Sequence, residues 1–117
     1  MDRHSLTERI VEHLVVLITA PTAADARRIA RILVEERLAA CVNVLPGCES
    51  VYRWEGKVVE EAEAMMVAKT SREAFPALAR RVTDIHPYAV PEVIGLPLME
   101  VTERYRVFLD DGVRRER

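Results

Sequence analysis

Residues 13–20 read His-Leu-Val-Val-Leu-Ile-Thr-Ala (HLVVLITA) and stop at Pro21. β-Branched side chains dominate, and apolar residues fill consecutive positions, so the run reads as a strand that wants both faces covered. Downstream, Thr22 is a candidate helix cap and Asp25 suits the positive end of a first turn. Ala26, Ala30, Leu33, Val34 and Leu38 then recur at helical spacing, which predicts a helix from Ala23 to Leu38. Upstream, residues 1–12 are polar and read as an extension outside the core, with a helical turn over Thr7 to Val11.

From Ala40 to Trp54 the chain is again rich in strand formers, broken by Pro46-Gly47, a kink or bulge signal. Glu55-Gly56-Lys57 is a polar turn, and Glu61 to Thr70 (EAEAMMVAKT) follows as a third strand, so a long hairpin is the simplest connection. Ser71 opens a second helical pattern carried by Phe75, Leu78, Ala79, Val82 and Ile85, and Pro76 draws its start towards Phe75. Pro87 ends this helix by disfavouring α geometry at His86. Glu92 to Val101 (EVIGLPLMEV) is a fourth strand whose proline assigns it to an edge or to irregular pairing. Thr102 caps a short last helix with Tyr105, Phe108 and Leu109 on one side, ahead of a charged tail that begins about Asp110.

The order β-α-β-β-α-β is the ferredoxin-like plan, an α+β sandwich with both helices on one face of a four-stranded antiparallel sheet. The other face is then open, yet the third strand sets Met65 and Val67 against Ala64, Met66 and Ala68, so it too is apolar. A surface of this kind marks a protein interface, and oligomerisation through the sheets is expected.

With 117 residues, one domain over residues 13–110 is expected, followed by a tail over 111–117. Seventeen basic against nineteen acidic residues, a formal charge of -2, supply no basic field for nucleic acid. The longest strongly apolar run, Leu14 to Ile18, is too short to span a bilayer, and no export signal is visible, so a soluble cytoplasmic protein is expected. Cys41 and Cys48 are seven apart, which on a regular strand puts them on opposite faces unless Pro46 and Gly47 bend the chain.

Two groups of residues are candidates for chemistry. His86, ahead of Pro87-Tyr88, sits at a helix C-terminus that favours its charged form and is a candidate metal ligand with Glu63 or Cys41; the alternative is that it caps the last carbonyls. Tyr52, Trp54 and Glu63 lie on the hairpin, where the aromatics either line a pocket or anchor a neighbouring subunit. Lys69 and Glu92 are single charges in apolar strands, so each needs a partner, across subunits or in a ligand. No GxxxxGK[ST], GxGxxG, HExxH or GxSxG occurs, and the turn at Thr19 to Thr22 has neither glycine nor arginine, so no enzyme is expected.

Thr19-Ala20-Pro21, ERLAACVN (36–43), Pro46-Gly47, SVYRWEGKV (50–58), Lys69-Thr70 and HPYAVPEVIGLP (86–97) follow one another at the spacings of the CutA divalent-cation-tolerance family, which the chain resembles from Leu14 to about Leu109. The resemblance implies a tight homotrimer assembled through the sheets, with PII-like architecture and a hairpin reaching onto its neighbours. It implies a non-catalytic role in the response to divalent metal ions such as copper, bound weakly in an intersubunit cleft at His86 and Glu63 near Tyr52, Trp54, Lys69, Tyr88 and Glu92. Some members bind copper through a cysteine at the end of strand one and paired histidines before the proline; those positions are Ile18 and Ile85-His86 here. The alternative function is a PII-like small-molecule sensor that holds a metabolite between subunits.

Overall fold

The computed structural model describes residues 12–115, in the order β1 (His13–Ala20), α1 (Ala23–Glu35), β2 (Cys41–Trp54), β3 (Lys57–Ser71), α2 (Phe75–Ile85), β4 (Val93–Pro97) and α3 (Glu103–Gly112). The turn expected over Thr7 to Val11 lies outside the described residues. The sheet order is β2-β3-β1-β4 with every neighbouring pair antiparallel, which is the ferredoxin-like topology. The two proline-bearing strands, β2 and β4, are the edges, where a missing amide costs no ladder bond.

One face of the sheet carries Val16, Ile18 and Ala20 of β1 with Ala64, Met66 and Ala68 of β3. These pack under Ala26, Ile29 and Leu33 of α1 and Ala77, Leu78 and Val82 of α2. Thr70 is buried on this face and donates to the Leu38 carbonyl at 2.6 Å. The opposite face presents Val15 and Leu17, half-buried Met65 and Val67, and Leu45, Ile94 and Leu96, which remain 49, 47 and 45% exposed. The doubly apolar sheet expected from residues 13–20 is therefore real, and within one subunit only one face is fully covered.

Helix α1 stops three residues short of the expected Leu38. Arg37 adopts φ 59°, its amide bonds the Val34 carbonyl, and the Leu38 amide reaches back to Leu33, which is the Schellman closure. Leu38 keeps helical spacing because it packs beneath the cap it completes. The hairpin turn is Glu55-Gly56 alone, both at positive φ (49° and 80°), the two-residue geometry that matches strand twist. Lys57 pairs with Trp54 instead of turning, so β3 begins four residues before the expected Glu61.

The fourth strand is shorter than expected, ending at Pro97 although the Leu98 amide still bonds the His13 carbonyl. Helix α2 begins at Phe75, with the Ser71 hydroxyl accepting the Ala74 amide one turn earlier. Thr102 holds the N-cap position of α3 but makes no side-chain capping bond. That helix absorbs Asp110, Asp111 and Gly112 from the expected tail, because Leu109 and Val113 are buried and the Arg114 amide bonds the Arg37 carbonyl at 2.8 Å.

At Pro46-Gly47 the register slips: Leu45 faces Met65, whereas Cys48 faces Glu63. One extra residue in β2 reverses its alternation, so Cys41 and Cys48 share a face after all. Their partners Lys69 and Glu63 are six residues apart on β3, about 20 Å along the strand, too far for a bridge or a shared ion. Beyond the slip the hairpin is largely exposed and projects as an arm, consistent with extents of 49 × 30 × 26 Å.

Candidate functional site

His86 follows α2 with an extended backbone, its amide closing on the Val82 carbonyl at 2.9 Å. The ring is 8% exposed and lies against the end of β1, where Nε2 is 2.7 Å from the Thr19 carbonyl oxygen. A carbonyl only accepts, so Nε2 carries the hydrogen. On the other side Nδ1 accepts the Tyr88 amide at 3.0 Å. Both nitrogens are engaged, and the Tyr88 amide requires the Nδ1 lone pair that a charged imidazole would lack. His86 thereby ties the α2–β4 loop to β1.

The Tyr88 ring packs 5.0 Å from the imidazole, and its hydroxyl donates to Glu63 Oε2 at 2.8 Å. Burial, reinforced by the Glu63 carboxylate, pushes the Tyr88 phenol well above its ordinary range. Glu63 is 8% exposed, unusually enclosed for a carboxylate, and the phenol is its hydrogen-bonding partner. Two residues along the same face of β3, Glu61 lies near Tyr52, whose phenol is also raised, first by burial and then by the Glu61 carboxylate. The outcome is a cluster of two carboxylates and two tyrosines where the arm leaves the sheet, with Tyr88 donating to Glu63.

The structure thus brings together His86, Tyr88, Glu63 and Tyr52, but not the remaining candidates. Lys69 is hydrogen-bonded to the Asn43 side-chain oxygen, six residues and about 20 Å along β3 from Glu63. Trp54 is at the arm tip, opposite Lys57, a similar distance the other way. Glu92 is half-buried just before β4 and pairs with no cation among the described residues. Glu61 was not singled out from sequence, although acidic residues at alternate strand positions share a face; the Thr19 carbonyl, being backbone, had no sequence signal.

The copper donors that the family resemblance implies do not fit these residues. Ile18 is fully buried beneath the helices, and His86 has no uncommitted nitrogen. Among the described residues no three His, Cys, Asp or Glu side chains converge on a point. What the cluster offers is carboxylate oxygen, the donor of hard cations rather than of copper.

The CutA1 divalent ion tolerance protein model matches residues 14–112. The chain belongs to that family. The divalent-cation tolerance protein CutA of Thermus thermophilus is 55% identical over 98 residues, covering 84% of this chain and 95% of that protein. The chloroplastic CutA of Arabidopsis thaliana is 39% identical over 92% of this chain, which spans 59% of that longer protein. The crystal structure of CutA1 from Oryza sativa superposes with a TM-score of 0.88 at 41% identity, covering 92% of this chain and 98% of that one. No helix among the described residues of this CutA1-family chain is long and apolar enough to cross a membrane.

Proposed function

We propose that this chain works as a cytoplasmic, non-catalytic homotrimer in divalent-cation tolerance, making a weak cation contact in the cleft where the arm of one subunit meets the sheet of the next. The observation that carries the reading is the open sheet face, on which Leu45, Ile94 and Leu96 stay about half exposed beside Val15, Leu17, Met65 and Val67. Such a face is stable in water when another sheet covers it. The subunit count of three comes from the family resemblance, and two unbridged cysteines suit a reducing compartment.

Glu63, with Glu61 beside it, supplies the cation contact in this reading, while His86 orients Tyr88 and Tyr52 lines the wall. Lys69, Trp54 and Glu92, which do not meet within one subunit, face neighbours across the cleft. Light scattering at micromolar concentration is expected to give the trimer mass, and a monomer mass would sink the assembly. Calorimetric titration with manganese and with copper tests the contact: weak heats are expected from wild type and from His86→Asn, and none from Glu61→Gln/Glu63→Gln. Heats that survive the double change, or vanish only with His86, would move the contact elsewhere.

A further inference from the structure

At the opposite end of the sheet from Glu63, a cleft of about 740 Å³ opens between the turn before α2 and the end of α3. Ser71 on its wall is eight residues from Glu63, about 26 Å along β3, so the two regions are separate. The cleft is of the size that holds small organic ligands.

Its floor is built around His13, which is 6% exposed. His13 Nε2 lies 2.7 Å from Asp110 Oδ1, and Asp110 Oδ2 is 3.4 Å from the Arg106 guanidinium, which also bonds Glu103 at 2.5 Å. Asp110 is thus occupied on both oxygens, and its charge is countered within the wall. Around this floor the lining carries three more guanidinium groups, Arg72, Arg114 and Arg115, against two carboxylates, Glu12 and Glu73. Arg72 is anchored by its amide to the Glu12 carbonyl at 2.8 Å, and the Arg114 amide is anchored to the Arg37 carbonyl at 2.8 Å. The side chains of Arg72 and Arg115 are exposed and have no partner among the described residues.

We infer that this cleft binds a small organic oxyanion, held by the guanidinium forks of Arg72 and Arg115 above the His13–Asp110–Arg106 floor. Planar forks of this kind match phosphate and carboxylate oxygens in pairs, and Arg72 and Arg115 bring two such forks to one cleft. The volume exceeds that of a bare phosphate and leaves room for an organic body. This inference stands apart from the cation contact and survives its failure.

The test titrates the full chain with pyrophosphate and, separately, with citrate at low salt, followed by calorimetry. Binding of one or both is expected, with phosphate or carboxylate preference read from the two affinities, and a loss of at least tenfold in Arg72→Ala/Arg115→Ala. Arg72→Lys/Arg115→Lys, which keeps charge but not the fork, is expected to fall between. Both sites are exposed, so the variants should melt as wild type does. Silence with both probes, or equal affinity in wild type and the double alanine variant, overturns the inference.

Discussion

Replacing Tyr88 by Phe removes one oxygen and leaves the ring against His86. The oxygen removed is the hydroxyl that donates to Glu63 at 2.8 Å, and the carboxylate it leaves behind is 8% exposed. A hydrogen bond to a charged group contributes about 1.5–3 kcal/mol, and Tyr88 is only half-buried, so the loss should be about 2 kcal/mol. In a Glu63→Gln background the bond becomes neutral, and the same change should cost about 1 kcal/mol. Denaturant unfolding of wild type, both single variants and the double, at one protein concentration because assembly couples to stability, gives the coupling directly. The phenol's pKa is raised in the folded chain, so its contribution is complete below the ordinary phenol range near 10 and fades as pH climbs from there towards the folded value. The wild-type advantage over Tyr88→Phe should therefore be flat from neutral pH to about 9 and shrink beyond it. An equal cost in both backgrounds, or an advantage that grows in alkali, would refute the account of Tyr88 as the donor holding a buried carboxylate.

Three further outcomes follow from particular residues. Arg37→Gly relieves the strain of φ 59° but removes the bond from the Arg37 side chain to the Asp111 carbonyl, so denaturant unfolding should change by no more than about 1 kcal/mol, and a larger loss would show that the bond outweighs the strain. Gly112→Ala should destabilise by about 1–3 kcal/mol despite better helix propensity, since the new Cβ would lie 2.7 Å from that of Ala40; Ala40→Gly in the same chain should restore part of the loss. Absorbance titration near 295 nm should place all three tyrosines above the free phenol in the native protein, as burial raises Tyr52, Tyr88 and Tyr105 alike, and return them to about 10 in denaturant.

Much of the fold was legible because the consecutive apolar run at 13–20, the helical spacings and the prolines of the edge strands are local patterns. Boundaries moved where a tertiary contact used a residue in a second way. Leu38 satisfies helical spacing while closing a cap, Lys57 is polar yet pairs with Trp54, and Asp110 to Gly112 look like a tail until Leu109 and Val113 bury the helix that contains them. The site was harder to read for the same reason. His86 could be singled out as unusual, but its partners are a backbone carbonyl 67 residues away and the amide two residues on, and neither leaves a mark in composition. The pairing of Tyr88 with Glu63 spans 25 residues and depends on where a loop closes over a strand, which periodicity does not encode. The reversed alternation at Pro46-Gly47 could be suspected from the residue types, but its direction could not.

That slip gives the protein two pairing frames within one continuous hairpin. On the body side, β2 is locked in phase with a sheet whose faces are fixed by the helices; on the arm side, the phase is free of that demand and is set by a single inserted residue. Side-chain choices in the arm can drift, lengthen or turn over without forcing compensating changes beneath α1 and α2. The bulge is in this sense a clutch between a buried interior and an exposed outer reach, which allows one scaffold to keep its core while changing what its arm touches.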